Sequence, residues 1–316
     1  MKNERIMIIG GTGALGKTLT RKYTQDNDIL VFSRDEHKHV NMGREFPSVE
    51  FLIGDVKDVR GMTRAINLFK PTIVINTAAL KHVPICESNP QESVTVNIQG
   101  HTNLLEALDL SNHKISKLVF ISTDKACKPI NVYGMCKAIS EKVYLDFSKK
   151  QDSIKVIICR YGNVLESTGS VIPLIKERLR KDNNTFNLTD PKMTRFLISL
   201  SESVKLIDWA ISNSNETHGC IVVPKLPSVS IKNLINVIST NLGSNSLKII
   251  TTGIRPGEKL HEEMVSFEES LRSYCSGDYV LITDNVREDN ADPLSSESPL
   301  MSEEELAEFL AQRGVF

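Results

Sequence analysis

The sequence predicts an α/β protein with a doubly wound, parallel sheet of the Rossmann type and a smaller C-terminal domain. Short apolar runs alternate with helix-length segments through the first half of the 316-residue chain. Those runs are apolar at successive positions, which is typical of parallel strands that are covered on both faces. The glycine-rich residues 10–16 directly follow the first run, and this order is typical of a nucleotide-binding turn.

Six strands and four helices are expected in the first half. The strands are expected at residues 5–9, 29–32, 49–53, 72–76, 117–121 and 155–159. The helices are expected at residues 15–24, 59–68, 91–110 and 133–149. Alternation of strand and helix implies parallel strands that are joined by right-handed crossovers. These elements therefore predict one parallel sheet with helices on both faces.

The pattern changes after Arg160, where shorter segments and several prolines follow. A helix is expected at residues 202–212, packed back onto the sheet. A last helix is expected at residues 302–312, where Ser302 and Glu305 have the spacing of a capping box.

This change of pattern predicts two domains. Residues 1–165, with the returning helix near residues 201–214, are expected to form a dinucleotide-binding Rossmann domain. Residues 166–316 are expected to form mainly a substrate-binding domain and a C-terminal tail.

Charge and hydropathy argue against several classes of partner. Lys and Arg (38) nearly balance Asp and Glu (39), so no global field attracts nucleic acid or an anionic membrane. No apolar stretch approaches the roughly 18 residues that span a bilayer, and the N-terminus shows no signal-peptide pattern. The six cysteines have neither CxxC nor zinc-ligand spacing. We expect a cytoplasmic protein without a metal, nucleic-acid or membrane partner.

Three glycines, at positions 10, 13 and 16, have the GxxGxxG spacing of the short-chain dehydrogenases. They follow a strand and open a helix, so the backbone can approach a pyrophosphate and aim helix N–H groups at it. Residues 54–56, after the third strand, are placed to contact an adenine. The residues that this reasoning assigns to dinucleotide binding are Gly10, Thr12, Gly13, Ala14, Leu15, Gly16, Asp55 and Val56.

The end of the second strand bears on the choice between NADP and NAD. Ser33 and Arg34 lie where an arginine suits a ribose 2′-phosphate, whereas an acidic residue would hydrogen-bond a free 2′-hydroxyl. Asp35, one position later, keeps NAD open as the alternative. The sequence therefore favours NADP as the cofactor, with all three residues in contact with it.

Two short motifs predict acid–base chemistry. Tyr133 and Lys137 are four residues apart, so they share one face of a helix. A free tyrosine has a pKa of about 10, and a nearby ammonium lowers the pKa toward that of a useful base. Thr123, Asp124 and Lys125 follow the fifth strand, at the carboxyl edge where α/β sheets bind ligands. These five residues form the candidate catalytic set.

Most of the chain resembles the inverting UDP-N-acetylglucosamine 4,6-dehydratases, which are extended short-chain dehydrogenases/reductases. The stretches that carry the resemblance are residues 10–16, 33–36, 78–84, 122–126, 160–164 and 255–262, with the Tyr133/Lys137 pair. Its most specific element is Asp124-Lys125, because retaining sugar-nucleotide dehydratases carry Asp-Glu there and the 4-epimerases lack the pair.

The resemblance implies a reaction without net redox. Tyr133, helped by Lys137, would remove the proton of the sugar 4-hydroxyl while hydride passes from C4 to NADP. Lys125 would then remove the C5 proton, and Asp124 would help the 6-hydroxyl leave as water. Hydride returns to C6, and a proton returns to C5 from the opposite face, which inverts that centre. A lysine base of this kind requires a depressed pKa, which burial against the cofactor would supply.

The resemblance also extends the set of binding residues. It implies cofactor contacts from Ala78, Tyr133, Lys137 and Val164. A UDP-sugar carries two phosphates, and the basic segments 191–196 and 254–259 fit that need. The substrate contacts expected on these grounds are Lys81, Asn163, Thr194, Arg195, Arg255 and Glu258.

Three alternatives remain open: a retaining dehydratase, a 4-epimerase on the same scaffold, and a non-catalytic NADP-binding sensor. Lys125 argues against the first, and the Tyr133/Lys137 pair argues against the sensor. The resemblance also implies a homo-oligomer that assembles through helices beside the sheet. The keto sugar would then enter the synthesis of deoxyamino sugars and surface glycans.

Overall fold

The computed structural model describes residues 1–151, 153–165, 167, 169–181, 185–242 and 247–316. In chain order the strands are β1 (Arg5–Ile9), β2 (Asp28–Ser33), β3 (Glu50–Ile53), β4 (Ile73–Asn76), β5 (Lys117–Ile121), β6 (Lys155–Cys159), β7 (Asn163–Val164), β8 (Thr185–Leu188), β9 (Thr194–Ile198), β10 (Ile221–Pro224), β11 (Ser228–Ser230), β12 (Lys248–Thr251), β13 (Glu263–Val265), β14 (Ser273–Ser276), β15 (Tyr279–Ile282) and β16 (Leu294–Ser295).

The helices vary from single turns to the long α7, which carries the predicted Tyr/Lys pair. In chain order they are α1 (Ala14–Tyr23), α2 (Glu36–Glu45), α3 (Val59–Phe69), α4 (Val83–Ser88), α5 (Pro90–Val94), α6 (Gly100–Leu110), α7 (Val132–Lys150), α8 (Val171–Arg180), α9 (Leu200–Ser212), α10 (Ser214–Thr217), α11 (Ile231–Asn241), α12 (Phe267–Ser270) and α13 (Glu303–Ala311). A π-helical stretch, Thr95–Gln99, joins α5 to α6, and a 3₁₀ turn, Asp124–Ala126, follows β5. No helix among the described residues has both the length and the apolar character to cross a membrane.

The main sheet confirms the predicted fold class. Within the described part of the chain its strand order is β14-β15-β10-β6-β5-β4-β1-β2-β3. The six predicted strands form its parallel part, β6-β5-β4-β1-β2-β3. β10 adds in parallel to β6, whereas β15 and β14 add in antiparallel fashion. The division at residue 165 stays a prediction, and the sheet extends across it, because β10, β14 and β15 come from the C-terminal half.

Alternate residues of the strands build separate apolar layers on the two faces of the sheet. In β1, Met7 and Ile9 belong to one layer, and Ile6 and Ile8 belong to the other. All four are fully buried, which explains why the predicted strands read as continuous apolar runs. A third layer lies in the C-terminal half, between α8, α11 and α13.

The predicted helices differ in how well they match the structure, depending on how clear their apolar pattern and capping residues are. The returning helix forms as α9, which packs against α1 and β6, and the last helix forms with the capping box of Ser302 and Glu305. The predicted helix 91–110 is interrupted by the π-helical stretch. α2 was missed because its sequence is polar apart from scattered apolar residues, and α4 was missed because it is short.

Candidate active site

The glycine turn between β1 and α1 has a backbone geometry that can accommodate an anion. Gly10 has φ +74°, and a Cβ there would lie 2.8 Å from the backbone of Ala78, so another residue would be strained. Gly13 is the N-cap of α1 and makes no side-chain capping bond, which leaves the first N–H groups of the helix for a ligand. This backbone cradle fits the pyrophosphate of a dinucleotide.

At the end of β2, the acidic residue has a structural partner. Asp35 Oδ1 accepts a hydrogen bond from the N–H of Lys38 at 3.0 Å and thereby caps α2. Arg34 is 57% exposed and only loosely paired, 3.7 Å from Asp55. The cation beside the glycine turn is therefore more available to a ligand than the carboxylate of Asp35.

One cleft of about 730 Å³ runs from the glycine turn along the carboxyl edge of the sheet. It brings together most of the residues that the sequence singled out. The predicted residues that line it are Gly10, Thr12, Gly13, Ala14, Leu15, Gly16, Ser33, Arg34, Asp35, Val56, Ala78, Lys81, Thr123, Asp124, Lys125, Tyr133, Lys137, Asn163 and Val164.

Five predicted residues lie outside the lining of this cleft in the described part of the chain. They are Asp55, Thr194, Arg195, Arg255 and Glu258. Arg255 and Glu258 pair with each other at 2.7 Å on the turn between β12 and β13, where the arginine is largely exposed. The turn is therefore accessible to a ligand, although its charges are engaged with one another.

Arg195 is buried and serves as a brace. Its guanidinium donates to the backbone carbonyls of Thr194 at 2.6 Å, Lys259 at 3.0 Å and Leu260 at 3.1 Å. These bonds hold the segment that follows the Arg255 turn against β9. The sequence could not distinguish this role from phosphate binding, because both require an arginine next to a turn.

The start of α7 places the Tyr/Lys pair beside the 3₁₀ turn. Asn131 caps the helix by accepting from the N–H of Gly134 at 2.8 Å. A Cβ on Gly134 would lie 2.2 Å from the backbone oxygen of Lys125, so only glycine allows this close approach of helix and turn. Tyr133 and Lys137 follow on successive turns of the helix face that meets the cleft.

Lys137 is buried at the end of β5. Its Nζ donates to the backbone oxygen of Ile121 at 2.6 Å and lies 4.1 Å from the centre of the Phe120 ring. Burial lowers the pKa of Lys137 to about 7, although the Glu141 carboxylate opposes that shift. The cation is thus held in place by a carbonyl and an aromatic face.

The pKa of Tyr133 is set by opposing causes. Burial raises it to about 12, while the charge of Lys125 and a hydrogen bond with Thr123 act to lower it. The sequence argument gave the lowering to Lys137. In the structure, Lys125 is the cation whose charge lowers the tyrosine's pKa, because the 3₁₀ turn brings it against α7.

Lys125 lies among three oxygen acceptors. Its Nζ is 3.1 Å from Asp124 Oδ1, 3.2 Å from Glu262 Oε1 and 3.4 Å from Asn163 Oδ1. Burial lowers the pKa of Lys125, but the two carboxylates outweigh burial and raise it above its ordinary value. In the ligand-free chain the pKa of Lys125 is thus raised, because the sequence did not show that a second carboxylate, Glu262, faces the amine. The depression expected from burial against a bound cofactor stays a prediction.

One carboxylate oxygen of Asp124 makes no hydrogen bond. Its side chain is fully buried, and Oδ1 accepts from Thr123 Oγ1 at 2.9 Å and from Lys125. Its Oδ2 has no hydrogen-bond partner in the structure. A buried carboxylate oxygen without a partner is costly, so a ligand hydroxyl in the cleft would satisfy it.

A buried ionic network lies behind the 3₁₀ turn Asp124–Ala126. Arg160, at the end of β6, binds Glu141 of α7 through two bonds of 3.0 and 2.7 Å and Glu269 of α12 through two bonds of 2.8 Å. Ser122, two residues before the 3₁₀ turn, donates to Glu141 Oε1 at 2.6 Å. The sequence analysis missed these partners. A charged residue directly after an apolar strand was the available signal.

A glycine cradle, a Tyr/Lys pair and an acid–amine pair in one cleft of a Rossmann-type sheet define an enzyme of the short-chain dehydrogenase/reductase class. The chain belongs to the family described as "Polysaccharide biosynthesis protein", whose profile matches residues 6–284.

Named relatives carry two kinds of activity. The chain is 38% identical over 292 residues to a UDP-N-acetylglucosamine 4,6-dehydratase (inverting) of Campylobacter jejuni, which covers 90% of this chain and 84% of the relative. It is 36% identical over 299 residues to a UDP-glucose 4-epimerase of Rickettsia felis, with 91% and 85% covered. Among solved structures, Pen from Bacillus thuringiensis superposes with a TM-score of 0.91 at 30% identity, over 100% of this chain and 99% of that one.

Proposed function

We propose that this protein is a hydro-lyase that carries out the NADP-dependent 4,6-dehydration of UDP-N-acetylglucosamine with inversion at C5. The product would be a UDP-4-keto-6-deoxy-L-sugar for the synthesis of deoxyamino sugars and surface glycans. One observation carries the proposal: Lys125 pairs with the buried Asp124 in the same cleft as Tyr133 and Lys137. The similarity to the Campylobacter jejuni dehydratase supports the choice of substrate.

The first proton transfer belongs to Tyr133. A bound nicotinamide ring supplies a reversible hydride acceptor beside the sugar. Tyr133 accepts the proton of the 4-hydroxyl, for which its pKa must fall from the ligand-free value. Lys137 lies one turn further along α7, and the Ile121 carbonyl fixes its amine at the end of β5, on the same helix face as Tyr133.

The second proton transfer belongs to the Asp124–Lys125 pair. The ion pair at 3.1 Å is a single proton transfer away from a neutral amine and a carboxylic acid. The amine of Lys125 takes the C5 proton, which the neighbouring ketone acidifies. The acid of Asp124 gives its proton to the 6-hydroxyl, which leaves as water. The pair returns to its starting charges, so it needs no outside acid or base for this step.

NADP is proposed as the cofactor because of the groups at the end of β2. Asp35 is engaged in capping α2, whereas Arg34 is exposed at the rim of the cleft. A guanidinium suits a 2′-phosphate through paired hydrogen bonds. For the nucleotide of the substrate, the exposed Arg255 turn and the cleft lysine, Lys81, remain the proposed contacts.

A homo-oligomer is also part of the proposal. Apolar side chains on α4, α5 and α7 remain about half exposed, which supports an interface on this flank of the sheet; they are Ile85 (51%), Val94 (47%), Met135 (47%) and Ile139 (48%). Light scattering of the purified protein tests this, and a monomer at micromolar concentration would contradict it.

The experiment that tests the function distinguishes dehydration from 4-epimerisation. The second candidate is 4-epimerisation, because of the similarity to the Rickettsia felis UDP-glucose 4-epimerase. The purified chain is incubated with UDP-N-acetylglucosamine and, separately, with UDP-glucose in deuterated water, and the products are determined by NMR. A 4-keto-6-deoxy product with deuterium at an inverted C5 is expected. A 4-epimer with hydrogen retained at C5 would replace the proposal by the epimerase.

A further inference from the structure

We infer that Glu262 is a positioning residue for the C5 proton transfer. It forms an ion pair with Lys125 and comes from a part of the chain far from Asp124. The inference rests on the proposed function. Glu262 lies directly before β13, in the segment braced by Arg195, and none of the activities considered above requires it. Its Oε1 is 3.2 Å from Lys125 Nζ.

The burial of Glu262 makes this contact significant. Its side chain is 3% exposed, and that of Lys125 is 19% exposed, so solvent does not screen the pair as it would at the surface. The backbone N–H of Glu262 donates to Ser296 Oγ at 2.8 Å, which fixes the main chain at this position. Such a pair is costly to desolvate and persists where the surrounding structure determines it.

Three oxygen atoms lie around the Lys125 ammonium: Asp124 Oδ1 and Asn163 Oδ1 accept hydrogen bonds from it, and Glu262 Oε1 forms an ion pair with it. Two are carboxylate oxygens, from Asp124 and Glu262, and the third is the amide oxygen of Asn163. The amide contact is the longest and uncharged, and Asn163 lines the cleft. The two carboxylates therefore hold the amine, and the position facing Asn163 is the one a sugar can take.

Glu262 does not compete for the role of base. It is absent from the lining of the cleft in the described part of the chain, whereas Asp124 and Lys125 are both present there. Two further cations lie near it: Lys259 Nζ is 3.8 Å from Oε2, and Arg195 Nε is 3.9 Å from Oε1. Glu262 is therefore surrounded by cations, and its place behind Lys125 is that of a countercharge and not of a group that reaches the substrate.

The same segment is attached to the catalytic turn at other points. Lys259 Nζ donates to the backbone oxygen of Cys127 at 2.7 Å, and Asn131 Nδ2 donates to that of Gly257 at 2.8 Å. The turn of Arg255, proposed to hold the nucleotide, is thus continuous with the residue that orients the amine.

The test uses Glu262→Gln in the full chain, with Glu263→Gln as the matched control. Glu263 is the next residue, but it pairs with the exposed Lys128 at 3.0 Å. For Glu262→Gln we expect kcat for the keto sugar to fall about tenfold to a hundredfold, since a small misplacement of a reacting group costs that much. KM is expected to stay near that of the wild type, and C5 deuterium exchange is expected to slow in step with kcat.

A second measurement needs no substrate. The pH dependence of Lys125 acylation, followed by mass spectrometry of its peptide, reports when the amine is free. The charged groups that face this amine are Asp124, Glu262 and Arg195, and the neutral phenol of Tyr133 is the remaining titratable group beside it. Removing the Glu262 anion is expected to move the labelling curve to lower pH, and Glu263→Gln is expected to leave it unchanged.

The two measurements distinguish failure of the Glu262 inference from failure of the proposed function. A wild-type chain that makes no keto sugar would end the proposed function, while the labelling curve would still show whether Glu262 controls Lys125. A kcat within twofold of wild type in Glu262→Gln, or an unshifted labelling curve, overturns the inference. If Glu262→Gln does not fold, Glu262→Asp is measured in its place. This variant keeps the carboxylate but shortens the side chain by one methylene, so its own labelling curve is expected to stay near that of the wild type. Its kcat must still lie below that of Glu263→Gln, and an equal kcat overturns the inference.

Discussion

At Tyr133, burial and the charge of Lys125 act on the phenol in opposite directions. The lysine therefore has two effects in the cleft: it is the proposed base for C5, and its charge favours the phenolate needed at C4. At Lys137, by contrast, burial favours the neutral amine, and a carbonyl and an aromatic ring hold the group in place. Single residues in this cleft thus influence more than one step.

Replacement of Lys125 by methionine tests the proposed base. The variant keeps the length of the side chain but has no amine, so we expect the release of 4-keto-6-deoxy sugar to fall by about 10²- to 10⁴-fold, the usual contribution of a general base. Tyr133 also loses a favourable charge, so its pKa rises further and the C4 step slows as well. Product NMR and C5 deuterium exchange measure both effects.

Lys128→Met is the control for this change, because Lys128 is a surface lysine three positions away that pairs with Glu263. It is expected to match the wild type. Near wild-type release of keto sugar by Lys125→Met would remove Lys125 from the mechanism.

Replacement of Arg34 by alanine tests the choice of cofactor. A hydrogen bond to a charged group contributes about 1.5–3 kcal/mol, so we expect NADP to bind roughly tenfold to a hundredfold more weakly. NAD lacks the 2′-phosphate, so its affinity is expected to stay the same. Calorimetric titration of both cofactors measures the difference, with the exposed Arg44→Ala of α2 as the control. Tighter binding of NAD than NADP by the wild type would contradict the assignment.

At the scale of elements, the Arg160 network joins the ends of β5 and β6 to α7 and α12. Burial raises the pKa of Glu269, but the charge and hydrogen bonds of Arg160 outweigh burial and lower it from about 4.5 to about 2. A carboxyl whose pKa is depressed by folding stabilises the protein above its unfolded pKa. That contribution is present above about pH 4.5 and is lost as the pH falls through 2.

Glu269→Gln tests this network. Loss of one partner leaves Arg160 short of countercharge in the interior, so we expect the free energy of unfolding near pH 7 to fall by about 3–5 kcal/mol. The difference from wild type is expected to shrink as the pH is lowered below 4.5. Urea denaturation between pH 7 and 3 measures it.

The neighbouring Glu268→Gln serves as the control, since Glu268 is 71% exposed and only distantly paired with Lys128. We expect it to be neutral. A constant difference between Glu269→Gln and the wild type across this pH range would mean that the side chain stabilises by packing alone.

Elements with a strong local signal could be predicted from the sequence. The glycine turn, the apolar strands and the i, i+4 pair on α7 each depend on residues that are near one another in the chain. The contacts of Glu262 with Lys125 and of Glu269 with Arg160 depend on distant segments; the second pair is separated by 109 residues. The role of Arg195 could not be predicted from the sequence either, because the hydrogen bonds from its guanidinium to backbone carbonyls form only in the folded chain.

At the scale of the whole molecule, the apolar interior falls into separate layers. Two cover the faces of the main sheet, and the third lies between α8, α11 and α13 in the C-terminal half. In this third layer Leu306 and Leu310 of α13 are fully buried. β1, which leads into the glycine cradle, contributes to the first two layers, whereas the segment around Glu262 contacts the first layer through Met264 and Val265 and the third through Leu260.

This division predicts that the C-terminal layer can be weakened without loss of the dinucleotide site. Leu306→Ala leaves a cavity against α11, so we expect the free energy of unfolding to fall by about 2–5 kcal/mol. Because the glycine turn does not depend on this layer, NADP affinity at 25 °C is expected to stay near that of the wild type, while KM for the UDP-sugar rises as the Arg255 turn loosens. Val286→Ala, at a position that is 82% exposed, is the control and should change neither quantity. If Leu306→Ala loses NADP affinity and sugar affinity together, the two halves of the chain share one cooperative core. The strands β10, β14 and β15, which come from the C-terminal half and lie in the main sheet, would then explain that result.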